Sequence, residues 1–131
     1  MQDPKRRAGA LLAAFGWALA YLPVGRLLAA ACGALPLSAG GQSFVLHCLA
    51  APLAEELVFR GAVQRALQPL GPRWAVGLQA VLFAAQHGGP AAAAYALALG
   101  LVLGAMRQRL DRVLPGWLLH TGNNLLVFAA G

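Results

Sequence analysis

The chain has 131 residues, of which 60% are hydrophobic and only 11% charged, and its formal net charge is +6. A soluble domain is about 45–50% apolar and about 25% charged, so this composition excludes an ordinary water-soluble globule and favours a polytopic membrane protein. No basic stripe is interleaved with aromatic residues on a polar face, which argues against a nucleic-acid partner. We therefore expect one membrane domain over residues 1–131, surrounded by the lipid bilayer.

Five apolar runs predict an all-α bundle with about five membrane spans, because a span needs about 20 residues. In chain order the runs are residues 8–22, 43–67, 73–86, 91–106 and 113–130. Pro23 and Gly25 are expected to end the first run. Residues 26–42 are apolar but interrupted and short, which predicts an interfacial or re-entrant segment before the second span.

Two local features within the runs predict helix distortion and helix contact. Pro52 is expected to kink the second span and to free a backbone carbonyl one turn earlier, which neighbours or water must then satisfy. Gly100 and Gly104 have small-xxx-small spacing, which is typical of a close contact between membrane helices.

The basic residues predict the orientation of the chain in the membrane. They cluster at the N-terminus and around two turns: Lys5, Arg6, Arg7, Arg65, Arg73, Arg107, Arg109 and Arg112. Cytoplasmic loops carry the excess of Lys and Arg, so the N-terminus and the turns near Pro69 and Asp111 are expected inside. The turn near Gly88 and the C-terminus are then outside. A composition rich in Ala, Leu, Gly and Arg is typical of a high-GC bacterium, so we expect a multi-pass protein of the bacterial inner membrane.

Two adjacent glutamates stand inside the second apolar run. Glu55 and Glu56 are the only glutamates in the chain, and residues 44–58 around them are otherwise largely apolar. Each carboxylate costs about 2.5–3.5 kcal/mol on insertion scales, so such residues indicate a functional site. Glu56 and Arg60 are four apart and can pair on one helix face. Glu55 points about 100° away from Glu56 and is expected to face a cavity, where it can take or give a proton.

Further polar residues accompany the glutamates. Those inside or at the ends of the predicted spans are Arg60, Gln79, Gln86, His87, His120, Asn123 and Asn124. His120 and Asn124 are four apart and share a helix face. One histidine in an apolar helix is more often a core residue than a catalyst. The set as a whole can supply a general base, a proton shuttle and donors for an oxyanion.

Three motifs occur in order on successive apolar segments. They are Glu-Glu-x-x-x-Arg at 55–60, Phe-x-x-x-His at 83–87 and His-x-x-x-Asn at 120–124. Over about residues 43–128 the chain resembles the CPBP family of intramembrane proteases, which includes the CAAX-processing enzyme of the Rce type and bacterial Abi proteins. The resemblance implies an all-α bundle with a conical cavity that holds the active site.

The resemblance also implies catalytic roles. Glu55 would be the general base and would act with His87 to activate a water molecule. His120 and Asn124 would stabilise the oxyanion of the tetrahedral intermediate. The enzyme would then be an intramembrane glutamic endopeptidase that cleaves a membrane-anchored protein or peptide.

Support residues and cofactors follow from the same resemblance. Glu56 and Arg60 would brace the site, and Asn123, which matches no motif position, would be structural. No cofactor is expected, because the glutamic mechanism needs no metal and the chain has no HExxH motif. The alternative is zinc held by Glu55, His87 and His120, with a water molecule in the open position.

The chain is shorter than the larger family members, so their substrates do not transfer to it directly. A compact member resembles the glutamic-type proteases paired with C-terminal sorting signals, such as those of JDVT-CTERM systems. The alternative to an enzyme is a non-catalytic membrane immunity or scaffold protein that keeps the polar cluster for binding. A third possibility is a small transporter or proton channel, which also uses intramembrane Glu and His.

Overall fold

The computed structural model describes residues 3–131 and consists of helices and short connections. The five helices are α1 (Pro4–Gly33), α2 (39–67), α3 (Pro72–Ala84), α4 (Pro90–Leu110) and α5 (Leu114–Ala130). A short 3₁₀ turn, Gln68–Leu70, follows α2. Residues 3–131 contain no β-strand, so the predicted all-α fold is confirmed.

The first helix is longer than the sequence indicated. α1 continues through Pro23 to Gly33 over 30 residues, so the prediction that Pro23 and Gly25 end it is wrong. A proline removes its own N–H from the helix, and a membrane helix tolerates this where neighbouring groups satisfy the freed carbonyl. The side-chain amide of Gln42 donates to the Gly33 and Leu35 carbonyls, at 3.1 and 3.0 Å, and so caps the far end of α1.

The expected separate segment at 26–42 is therefore wrong as well. Its first half, up to Gly33, belongs to α1, and α2 already begins at Ala39. Residues 34–38 form the whole connection between the two helices.

The close packing of α1 on α2 depends on small side chains. Ala14 and Ala18 of α1 are buried and lie in one core cluster with Phe59 and Val63 of α2. Alanines four residues apart form a narrow stripe along which two helix backbones can approach closely. This contact fixes α1 beside the part of α2 that carries the glutamates.

α2 is the central helix and is locally widened in two places. Its segments Val45–Ala50 and Glu56–Val63 are π-helical, and the N–H of Ala51 bonds to the carbonyl of Leu46, five residues back. In that pattern the N–H of residue 52 would bond the His47 carbonyl, but Pro52 has no N–H. The carbonyl freed by Pro52 is thus that of His47. π-helical turns occur frequently at functional sites.

α3 and α4 form a tight helical hairpin. A Cβ atom on Gly100 would lie 3.1 Å from the Ala80 Cα atom, and one on Gly104 would clash with the Gln79 amide nitrogen. That amide nitrogen donates to the Gly100 carbonyl at 2.7 Å. The helix contact predicted from Gly100 and Gly104 is therefore confirmed.

The outer surface is apolar over much of its area. α1 and α4 are each long and apolar enough to cross a membrane, with mean hydropathies of 1.6 and 1.4. Large apolar side chains such as Leu12, Leu27 and Leu126 are more than 70% exposed. Contiguous apolar surface of this kind suits contact with lipid. The total of about five spans stays a prediction.

Candidate active site

One cavity of about 640 Å³ brings together the four residues that the sequence predicts to be catalytic. Glu55 comes from α2, His87 from the turn after α3, and His120 and Asn124 from α5. The remaining lining residues are His47, Ala51, Phe83, Ala92, Tyr95, Ala96, Leu99, Asn123, Val127 and Phe128. Most of the exposed surface of the cavity is thus apolar, although half of its lining residues are polar, and this combination is typical of ligand sites.

Glu55 is held at both carboxylate oxygens. The Tyr21 hydroxyl donates to Oε1 at 2.9 Å, and Oε2 lies 3.3 Å from His120 Nε2. The Glu55 side chain is 15% exposed and lines the cavity. The carboxylate therefore has a fixed orientation and still reaches a molecule in the cavity.

His120 lies between the two glutamates. Its Nδ1 is 2.9 Å from Glu56 Oε1, and its Nε2 faces Glu55. The Nδ1–Glu56 contact is a buried hydrogen bond, whereas the approach of Nε2 to Glu55 is a close contact between the two side chains. His120 therefore connects the two glutamates and is held from the Glu56 side.

Glu56 and Arg60 form a buried ion pair one helical turn apart. Arg60 Nη1 is 3.4 Å from Glu56 Oε1, and both side chains are at most 1% exposed. The Arg60 guanidinium carbon also lies 4.2 Å from the ring centroid of Phe83, which is a cation–π contact. A Cβ atom on Gly116 of α5 would lie 2.8 Å from Glu56 Oε2. The close approach of α5 to this carboxylate therefore requires glycine at 116.

His87 is oriented through its own turn. Its Nδ1 is 3.0 Å from the Phe83 carbonyl oxygen, which only accepts, so Nδ1 donates. In the neutral ring this leaves the lone pair on Nε2. His87 and Glu55 also line a second cavity of about 460 Å³ on the side of Tyr21 and Arg26. These two residues stand at the boundary between the two cavities.

Asn124 connects α5 to the widened part of α2. Its Nδ2 donates to the His47 carbonyl at 2.9 Å, so the carbonyl freed by Pro52 has a neighbouring donor, as predicted. Its Oδ1 accepts from Asn123 Nδ2 at 3.1 Å, and Asn123 Oδ1 accepts from the Tyr95 hydroxyl. One N–H of the Asn124 amide is therefore engaged by the backbone, and one remains for the cavity.

Sequence reasoning missed Tyr21, His47 and Tyr95. Helical spacing relates residues of one helix only, and Tyr21 reaches Glu55 from α1, 34 positions earlier in the chain. The available signal was weak: each is a polar group in an otherwise apolar run. His47 and Tyr95 line the main cavity.

Glu55, His87 and His120, the alternative zinc set, are not brought together as a metal centre: among residues 3–131, no group of three or more His, Cys, Asp and Glu side chains is arranged to hold a metal ion. The zinc alternative and the expectation that no cofactor is needed both stay predictions.

A helical bundle with an apolar outer surface and buried Glu, His and Arg side chains around an internal cavity defines a class: membrane-embedded proteins capable of acid–base chemistry. The family model described as type II CAAX prenyl endopeptidase, Rce1-like, matches residues 38–126, and the chain belongs to this family of membrane-embedded proteases. This confirms the resemblance. Comparison with curated proteins and with solved structures gave no match. The match leaves all of α1, including Tyr21, outside it.

Proposed function

We propose that this protein is an intramembrane endopeptidase that hydrolyses a peptide bond of a membrane-anchored protein. The observation that carries the proposal is the convergence of Glu55, His87, His120 and Asn124 in one cavity, from three separate parts of the fold. Membership of a protease family supports the reaction type. The apolar lining of the cavity suits a hydrophobic transmembrane segment as substrate.

Glu55 is the proposed general base. A water molecule bound between Glu55 and the free Nε2 of His87 attacks the scissile carbonyl carbon, and its proton passes to Glu55. The hydrogen bond from Tyr21 holds the carboxylate in place during this transfer. Positioned general-base catalysis contributes about 10²–10⁴-fold to a rate.

The oxyanion is stabilised by His120 and by the second N–H of Asn124. While Glu55 is ionised, it attracts the Nε2–H of His120 across 3.3 Å. When Glu55 takes the proton from water, that attraction weakens and the Nε2–H becomes available to the oxyanion. Glu56 continues to hold Nδ1 at 2.9 Å. Glu55 then donates its proton to the leaving nitrogen as the C–N bond breaks, which restores the carboxylate.

Glu55→Gln tests this mechanism. The amide has nearly the same shape and inserts in the same place, but it cannot accept the proton. We expect cleavage of a co-expressed tail-anchored substrate to fall by at least about 10²-fold with an unchanged amount of membrane-inserted protein. Asp3→Asn is the matched control, because it makes the same chemical change at the exposed N-cap of α1, where Asn can also cap the helix. If Glu55→Gln still cleaves the substrate, Glu55 is not the general base. If Glu55→Gln keeps the full biological activity of the protein in the cell, the non-catalytic scaffold is favoured.

We further propose that the chain crosses a bacterial inner membrane about five times, with the N-terminus in the cytoplasm, and that its substrate carries a C-terminal sorting signal. The asymmetric basic residues support this orientation. Reporter fusions after residues 37, 70, 88 and 112 test it. A cytoplasmic signal at residue 88 contradicts the orientation.

A further inference from the structure

A polar pocket of about 570 Å³ lies away from the catalytic cavity, between the ends of α2 and α4. We call it the basic pocket. Its lining consists of three arginines, three glutamines and one aspartate: Arg60, Arg65, Arg107, Gln64, Gln68, Gln108 and Asp111. Apart from Arg60, which braces Glu56, the proposed mechanism uses none of these residues.

The buried arginine of the basic pocket lacks protein acceptors. Arg60 is 1% exposed, and its Nε, Nη1 and Nη2 atoms form no hydrogen bond with residues 3–131. Its ion-pair partner is Glu56, with an N–O separation of 3.4 Å. Arg107 Nε is likewise buried without a hydrogen bond in the described part of the chain. Buried guanidinium donors favour a ligand that offers several oxygens.

The lining residues of the basic pocket carry a net positive charge. Asp111 is the one carboxylate among the lining residues, and it is already paired with Arg107 at 2.6 Å. Arg65 forms no ion pair with any described residue and is exposed at the mouth of the pocket. Three guanidinium groups around one space attract an anion, and their planar geometry suits the oxygens of a phosphate.

An apolar groove adjoins the basic pocket and shares two of its arginines. The groove holds about 610 Å³, and Arg65 and Arg107 stand at one end of it. Its other lining residues are Trp17, Leu57, Gly61, Ala62, Ala66 and Val113. From Arg65 to Leu57 it extends roughly 10 Å along α2. The cationic pocket suits the phosphate head group of a phospholipid, and the apolar groove next to it suits an acyl chain.

We propose that the basic pocket and the adjoining groove together bind an anionic phospholipid, with the phosphate among the arginines and an acyl chain along the groove. Anionic lipid at a membrane surface is attracted to clustered Lys and Arg. The bound phosphate would supply the missing acceptors of Arg60 and so stabilise the Glu56–Arg60 pair. This inference rests on the membrane family and not on the proposed catalytic mechanism.

Thermal unfolding of the purified full chain tests the proposal. Micelles doped with phosphatidylglycerol should raise Tm by at least about 4 °C over micelles with phosphatidylcholine, because a ligand that binds only the folded state stabilises it. Inorganic phosphate alone should give little shift, since it cannot fill the groove. Equal shifts with the two lipids overturn the proposal, and a full shift with inorganic phosphate replaces it with a free-anion site.

Three variants locate the effect. Arg65→Gln removes an exposed guanidinium and should abolish the phosphatidylglycerol shift, whereas Arg109→Gln, at an exposed position that lines neither cavity, should keep it. Ala66→Phe fills the groove and should also abolish the shift. Retention of the shift in Arg65→Gln, or its loss in Arg109→Gln, contradicts the assignment. Each variant is compared with its own Tm in phosphatidylcholine, so a general loss of stability does not imitate the result.

Discussion

The catalytic cavity and the basic pocket lie along the same helix, α2, but they differ in how their most buried charged side chain is satisfied. In the cavity, both Glu55 oxygens, Nδ1 of His87 and Nδ2 of Asn124 each have a partner. In the basic pocket, the Arg60 guanidinium has no hydrogen bond with the described residues. The cavity is therefore held in one geometry by the protein itself, whereas the basic pocket depends on an external anion for its acceptors.

The Glu56–Arg60 pair joins these two regions. Glu56 contacts His120 on the cavity side, and Arg60 lines the basic pocket. A substitution of Glu56 or Arg60 should therefore affect both regions. A substitution of any other residue of the cavity or of the basic pocket should affect only the region that contains it. This difference orders the predictions that follow, beginning with the largest effect.

Removal of the buried carboxylate should have the largest effect. Glu56→Ala leaves Arg60 buried without its charged partner, which costs about 3–5 kcal/mol. We expect a large loss of folded protein, measured by size-exclusion chromatography in detergent and by Tm. The double variant Glu56→Ala/Arg60→Met removes both charges and should recover part of the loss. An unchanged Tm in Glu56→Ala contradicts the importance of the pair.

Addition of a single methyl group to α5, next to the Glu56 carboxylate, should lower the stability by less than removal of that carboxylate. Gly116→Ala places a Cβ atom 2.8 Å from Glu56 Oε2, which forces α5 or the carboxylate to move. We expect a loss of about 1–3 kcal/mol in unfolding free energy and a fall in cleavage rate. Gly122→Ala is the matched control, because a Cβ there meets no described atom within 4 Å. Equal stability of the two variants contradicts the close approach of α5.

Loss of the hydrogen bond from Asn124 to α2 should lower the stability by less than the two changes above. A second substitution, at Pro52, can show that the loss comes from the freed His47 carbonyl. Asn124→Ala leaves the His47 carbonyl unsatisfied and should cost about 1–2 kcal/mol. Pro52→Ala restores an N–H that can bond this carbonyl, so Asn124→Ala should cost less in the Pro52→Ala background. The double-mutant cycle should give a coupling energy of about 1 kcal/mol, measured by unfolding in denaturant. Additive effects of the two substitutions contradict the proposed role of the freed carbonyl.

The sequence predicted the contacts that depend on spacing within one helix. The Glu56–Arg60 pair and the packing face of Gly100 and Gly104 are present because positions four apart lie on the same face. Pro52 predicted a free carbonyl, and the π-helical turn determined that it is the carbonyl of His47. These features follow from local backbone geometry.

Contacts between helices could not be predicted in the same way. The Tyr21–Glu55 hydrogen bond and the position of His120 between two carboxylates depend on how α1 and α5 pack against α2. The continuation of α1 through Pro23 was missed for a similar reason. It depends on tertiary packing along α1 and on the cap from Gln42, whereas a proline rule considers the local chain alone.

The exposed ion pair at the end of α4 should have the smallest effect and provides the contrast with the buried pair. Arg107 donates to Asp111 at 2.6 Å, and this hydrogen bond together with the Arg107 charge lowers the pKa of the Asp111 carboxyl. A lowered pKa in the folded state means that the pair stabilises the protein above the unfolded pKa of about 3.9. The contribution is lost as the pH falls through the lower, folded value.

Asp111→Asn isolates that contribution. Asn tolerates the left-handed backbone at position 111, where φ is 51°, so the substitution removes the charge without backbone strain. We expect the wild-type protein to have a slightly higher Tm than Asp111→Asn near neutral pH and the difference to vanish in acid. Exposed pairs are screened by salt, so added salt should also reduce the difference, whereas the loss in Glu56→Ala should persist. If the Tm difference between the wild type and Asp111→Asn stays constant from neutral to acidic pH, the ion pair is not its cause.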